Sequence, residues 1–234
     1  MNKENKIIAH RGIFNNINIP ENSIKSFKEA IKYNYPFELD IQLTKDNKLV
    51  VFHDYNTKRM TNEDYIIQES TYDEIKDLCL LNTKYKIPLF KEILKINNDK
   101  CLIDIEIKNT KRIKETIDEL IKELTNYNNY IVKSFNPKIV RYIKKNYPNI
   151  KCGLLLKSKY KNKLLNIIEK TNFIIKYSKC DFIAISQKLL NSKKYKKKSS
   201  KIETLVWTIS KMEDINYDND ITYICNNLPF IKKQ

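Results

Sequence analysis

An α/β fold, a (β/α)8 TIM-type barrel with a short insertion after the second strand, is predicted by three features of the 234-residue sequence. Apolar strand-like runs alternate with helical patterns, as in a parallel sheet with crossover helices. The runs number eight, the number that closes a barrel. No internal repeat and no Gly- or Ser-rich linker divides the chain, so residues 1–234 are expected to form one domain, with 54–100 as the insertion.

The runs lie at 7–10, 37–43, 101–107, 130–134, 151–156, 181–186, 204–209 and 221–225. A further run, 49–53, follows the second across Thr44-Lys45-Asp46-Asn47. A polar connection that short implies an antiparallel hairpin, so this run need not be a barrel strand. Between strands, Glu21-Asn22-Ser23 supplies capping side chains ahead of an apolar face at Ile24, Phe27, Ala30 and Ile31. Residues 111–125 repeat that pattern with Ile113, Ile117, Leu120, Ile121 and Leu124. Pro137 stands where a first helical turn tolerates it, ahead of Ile139, Val140 and Ile143. The insertion contains two short helical pieces, one capped at Thr71 with Glu74 three residues on, the other beginning near Pro88. Within 171–201 the pattern does not separate helix from loop.

At 41% hydrophobic the chain can fill a core, and the absence of any apolar run of 18 residues excludes a helical membrane span. The polar start at Met1 to Lys6 lacks the features of a signal peptide, and the expected compartment is the cytoplasm. Five scattered cysteines, three of them inside apolar runs, read as buried structural thiols rather than a disulfide framework or zinc site. The net charge of +16 invites a nucleic-acid partner, but the lysines are spread along helix exteriors. The dense run at 193–198 reads as a solvated loop before an anionic docking patch. A small anionic substrate is therefore the expected partner, without nucleic acid or stable membrane insertion, and the excess charge would help attract it.

The chemistry concentrates at strand ends. The two histidines of the chain, His10 and His53, each close an apolar run, and in a parallel barrel those ends carry the active site. Imidazoles hold and release protons near neutral pH. Glu38 and Asp40, two apart on one strand, leave the same face, about 7 Å apart at the backbone. Asp104 and Glu106 repeat the arrangement. Burying these acids is costly without partners, which are either ion pairs to Arg11 and Lys108 or a shared cation. The cation accounts better for the clustering, and all-carboxylate ligation suits one hard divalent ion, Mg2+ or Ca2+. Arg11 and Lys108 are placed to meet a phosphate. Gly12, one of two glycines, marks a turn other residues cannot make. Acid–base histidines, a hard cation and phosphate-binding cations together describe phosphodiester cleavage.

The motifs His10-Arg11-Gly12, Pro20-Glu21-Asn22-Ser23, Glu38-Leu39-Asp40-Ile41-Gln42-Leu43-Thr44-Lys45-Asp46 and Val50-Val51-Phe52-His53-Asp54 follow one another in order. Ile105-Glu106-Ile107-Lys108, Ser134-Phe135 and Val206-Trp207-Thr208 come after them. In this chained form the sequence resembles the glycerophosphodiester phosphodiesterase family over nearly its whole length. The resemblance implies that His10 and His53 are the general acid and base. It implies that Glu38, Asp40 and Glu106 hold the cation, Arg11 and Lys108 contact phosphate, Trp207 lines the pocket, and Glu21 supports these groups. Asp104 stands where that family commonly has a neutral residue, as an added ligand or a hydrogen-bonding group. The family closes with Asp-Gly and then Thr-Asp or Thr-Asn before a proline. This chain has Ile224-Cys225-Asn226-Asn227-Leu228-Pro229, without glycine, so no substrate role is carried onto its last strand.

The reaction so implied cleaves a glycerol phosphodiester to glycerol 3-phosphate and an alcohol, with the neighbouring glycerol hydroxyl as nucleophile and a cyclic phosphate that water opens. The alternatives are a lysophospholipase D-like hydrolase and, in a different class, a non-catalytic binder of anionic lipid or nucleic acid using the basic surface.

Overall fold

The computed structural model describes residues 6–157, 173–190, 202–215, 221–226 and 228. Its strands are β1 (Ile7–Ala9), β2 (Phe37–Leu43), β3 (Leu49–Val51), β4 (Ile103–Ile107), β5 (Tyr130–Ser134), β6 (Cys152–Leu156), β7 (Phe182–Ser186), β8 (Glu203–Ile209) and β9 (Ile221–Cys225). They run in the order β1-β9-β8-β7-β6-β5-β4-β2-β3, and a parallel β1–β2 pairing, Ala9 opposite Phe37, closes the sheet. All strands but β3 pair in parallel, so the described strands form a closed (β/α)8 barrel. β3 is the antiparallel hairpin partner of β2, with Ile41 opposite Val51.

Several strands are shorter than the apolar pattern, for local reasons. Cys101 drops out of β4 because the Asn97 side chain accepts from its N–H at 3.1 Å and donates to its carbonyl at 2.8 Å. His10 and His53 lie just beyond β1 and β3, although the His10 N–H still donates to the Cys225 carbonyl at 3.0 Å.

The helices begin at the caps. Ser23 Oγ accepts from Ser26 N–H at 3.1 Å ahead of helix Ile24–Lys32, and Asn136 Oδ1 accepts from Lys138 N–H at 2.9 Å ahead of Pro137–Asn146. Thr71 N–H donates to Glu74 at 2.7 Å, but the helix there is a single turn, Tyr72–Ile75. The piece expected near Pro88 is Phe90–Asn97, and 111–125 narrows to Ile113–Glu123. Within 171–201, helices Phe173–Ser178 and Gln187–Leu190 flank β7, while the run 193–198 lies outside the described residues.

Strand alternation sorts the core into layers. Phe37, Leu39, Ile41, Ile103, Ile105 and Ile107 face outward against helix residues such as Phe27, Ile117 and Ile139. Inside the barrel, Ile8, Ile131, Leu155, Phe182, Ala184, Leu205 and Ile224 form an apolar filling drawn from β1 and β5–β9. β2 and β4 contribute acids instead. Gly153 makes room for that filling, since a Cβ there would stand 2.1 Å from the Phe182 ring. Val50, Phe52, Met60, Ile67, Ile75, Leu80 and Ile87 form a separate cluster under the insertion. Cys101, Cys152 and Cys225 are buried as expected. Cys79 is exposed, because it sits on an edge bridge to Lys86 in the insertion rather than in a barrel strand. No helix among the described residues is long and apolar enough to cross a membrane.

Candidate active site

The turn after β1 sets one side of the site. Arg11 and Gly12 both adopt left-handed backbone, with φ of 56° and 79°. At Gly12 a Cβ would lie 2.7 Å from the Ser26 backbone, so glycine alone permits the reversal. Arg11 N–H donates to Glu38 Oε2 at 3.1 Å, and Ser26 Oγ donates to the Arg11 carbonyl at 3.0 Å. His10 is held between two strands: Nδ1–H donates to Asn226 Oδ1 at 2.6 Å, and Nε2 stands 3.9 Å from Glu38 Oε2. Burial, reinforced by the neighbouring Arg11 charge, lowers its pKa to about 3 and keeps the ring neutral. His53, with a side chain 34% exposed, donates from Nδ1 to Asp54 Oδ1 at 2.6 Å.

The register that sets Asp40 opposite Glu106 brings together Glu38, Asp40 and Glu106, which offer carboxylate oxygens all within 4.8 Å of one another. Burial pushes the Glu38 carboxyl up, against the pull of Lys133 and with the repulsion of Asp40 and Glu106. Burial also acts upward on Asp40, but Lys108, His53 and Arg11 outweigh it and hold this carboxyl low. Lys108 Nζ bridges Asp40 at 3.1 Å and Glu106 at 2.7 Å, and Arg11 Nε lies 3.4 Å from Asp40. The ion pairs considered from sequence therefore exist, yet they do not balance the cluster. Among the described residues, the acids Glu38, Asp40, Asp104 and Glu106 face the cations Arg11, Lys108 and Lys133, and Arg11 is shared with Glu21. Three converging hard oxygen donors with an excess of negative charge fit a divalent cation.

Asp104 lies outside that triad. It pairs with Lys133 of β5, which also stands 3.5 Å from Glu38 Oε1 and is 1% exposed inside the barrel. Glu21 accepts from Arg11 at 2.6 Å, Asn16 at 2.9 Å and Arg59 at 2.7 Å. Burial opposes its ionisation, but the Arg59 hydrogen bond and the Arg11 charge lower its pKa to about 2. Asn22 donates to Asp40 at 2.9 Å. Trp207 donates its indole N–H to the Ala184 carbonyl at 3.0 Å and meets Phe135 edge-on at 5.4 Å.

His10, Arg11, Glu38, His53, Glu106 and Lys133 line one side of a cavity whose apolar wall is Phe135, Leu155, Trp207 and Ile224. Lys108 and Glu21 do not line it; they sit behind the carboxylates and Arg11 respectively. Sequence reasoning missed Asn226, Lys133 and Arg59. Lys133 left a signal, a lone lysine in an apolar run, and Asn226 left one in the atypical close of the last strand. Arg59, on the one-turn helix Lys58–Thr61, left none.

A 40% identical stretch of 161 residues is shared with a glycerophosphodiester phosphodiesterase of Caldanaerobacter subterraneus subsp. tengcongensis, covering 64% of this chain and 65% of that protein, just under two thirds of its length. The barrel superposes on a glycerophosphodiester phosphodiesterase structure from Parabacteroides distasonis with a TM-score of 0.78 at 24% identity, covering 97% of this chain and 94% of the other. An Oleispira antarctica phosphodiesterase in complex with the product sn-glycerol-3-phosphate gives a TM-score of 0.79 at 20% identity, over 96% and 94% of the two chains. The model of the glycerophosphoryl diester phosphodiesterase family matches residues 10–225. That span opens on His10 and closes on Cys225, the residues whose backbones meet across the β1–β9 seam, and the chain belongs to this family.

Proposed function

We propose that the protein hydrolyses glycerophosphodiesters to glycerol 3-phosphate and an alcohol, using His10 and His53 as base and acid and one divalent cation, Mg2+ or Ca2+, held by Glu38, Asp40 and Glu106. The observation that carries this reading is the convergence of both imidazoles, Glu38 and Glu106 on one cavity at the C-terminal ends of the strands, with an Asp40 oxygen within 4.8 Å of those two carboxylates. The product bound by the Oleispira antarctica relative supports the same chemistry. When bound, the cation would neutralise charge on a phosphoryl oxygen.

The two rings have different partners and therefore different tasks. His10 gives Nδ1–H to the neutral Asn226, which leaves the Nε2 lone pair toward the cavity to take the proton of the attacking glycerol hydroxyl. His53 gives Nδ1–H to the Asp54 carboxylate, which orients the ring, and its Nε2 is the group that delivers a proton to the leaving alkoxide. In the second half, water opens the cyclic phosphate with the roles exchanged. Arg11, which lines the cavity, meets a phosphate oxygen, and Lys108 holds two of the carboxylates in place. Phe135 and Trp207 offer the alcohol an apolar wall. A substrate that keeps one acyl chain is the second reading, because Ile17 and Tyr55 stand 80% and 60% exposed on the loops that follow β1 and β3.

Release of the head-group alcohol, measured over glycerophosphocholine, other glycerophosphodiesters and a choline lysophospholipid, separates these readings, since the acylated substrate yields lysophosphatidate where the others yield glycerol 3-phosphate. Glycerophosphodiesters are expected to be the better substrates, with activity lost in EDTA and in His53→Ala. Full activity of His53→Ala would overturn the acid–base assignment.

A further inference from the structure

We propose that Arg59 is a positioning residue that ties the two halves of the site together, bridging Asp54, which holds His53, to Glu21, which holds Arg11. The inference rests on the function proposed above and names a residue that the chemistry needs without touching substrate. The Arg59 Nε donates to Asp54 Oδ2, while the other oxygen of that carboxylate takes Nδ1–H of His53 at 2.6 Å. On its other edge, Nη2 donates to Glu21 Oε1 at 2.7 Å and Nη1 approaches Oε2 at 3.4 Å. Glu21 Oε1 in turn accepts from Arg11 Nη1 at 2.6 Å. The result is one connected path, His53–Asp54–Arg59–Glu21–Arg11, from the proposed acid to the proposed phosphate contact.

Only a guanidinium spans this gap. Its planar fork serves two carboxylates at once from opposite edges, whereas an ammonium is a point charge that would choose one of them. Asp54 and Glu21 come from separate stretches of chain, the segment after β3 and the loop before helix Ile24–Lys32. Neither is fixed by the barrel ladder. Without Arg59 the Asp54 carboxylate is free to turn from His53, and the two acids repel across the site mouth. Arg59 belongs to the insertion, so this contact also gives the insertion a task in catalysis: its first helical turn clamps the rim.

The test is a double-mutant cycle on glycerophosphocholine hydrolysis, with circular dichroism and thermal melts to establish folding. Arg59→Ala is expected to lower kcat on the order of 10–100-fold, the range for a residue that orients a reacting group. Asp54→Asn should lower it through His53 alone, and the double variant should lose little more than Arg59→Ala, because the Asp54 contribution is already lost without Arg59. Arg59→Lys should recover only part of the rate, and added guanidinium ion should rescue Arg59→Ala but not Asp54→Asn. Losses that multiply in the double variant, or a folded Arg59→Ala or Arg59→Lys with unchanged kcat, would overturn the proposal. If instead His53→Ala keeps full activity, the acid–base reading itself falls, so the two failures are told apart.

Discussion

His10 owes its orientation to a residue 216 positions away, Asn226, whose side-chain oxygen fixes the Nδ1–H tautomer. Asn226→Ala should therefore lower kcat by about tenfold or more with a smaller change in KM, since a misoriented imidazole binds substrate but transfers protons poorly. Steady-state kinetics of this variant checks it, and an unchanged kcat would count against His10 as the base. At this scale the sequence was legible where spacing alone encodes direction. Glu38 and Asp40 had to share a face, and His10 and His53 had to sit past strand ends. It was illegible where a contact joins strands distant in the chain. Nothing near Lys133 says that its ammonium meets Asp104 and Glu38, because β4–β5 register decides that.

The elements follow their caps more closely than their apolar periodicity. Residues 111–125 look helical throughout, yet the helix stops at Glu123, whose Oε2 is buried without a hydrogen-bond partner. Burial, with the nearby Glu119 charge, raises this carboxyl from 4.5 to about 7. A folded pKa above the unfolded one means that its contribution to stability is complete below about 4.5 and is lost as pH rises through about 7. Glu123→Gln should accordingly stabilise the protein at about pH 8, by roughly 1–3 kcal/mol, and change little at about pH 4. Thermal melts at the two pH values check the sign; equal shifts at both would contradict it. Strand ends were misjudged for similarly local reasons, as at Cys101, where the Asn97 amide takes both backbone groups that the ladder would have used.

The whole molecule is a barrel whose lumen is divided by chemistry. β1 and β5–β9 fill one side with apolar groups, while β2 and β4 line the other with acids. The eight-strand count and the hairpin at β3 were readable because short polar connections and long crossovers leave different signatures in sequence. Closure followed from that count, whereas the β1–β2 and β1–β9 registers did not, since they depend on strands that share no local pattern. The division of the lumen leads to the claim on which the mechanism depends, that Glu38, Asp40 and Glu106 form one cation site. Calorimetric titration of Mg2+ and of Ca2+ into chelator-stripped protein measures this without reference to turnover. The expected result is a single binding event per chain that is abolished in a folded Asp40→Asn variant; binding of equal affinity in wild type and Asp40→Asn would contradict the account.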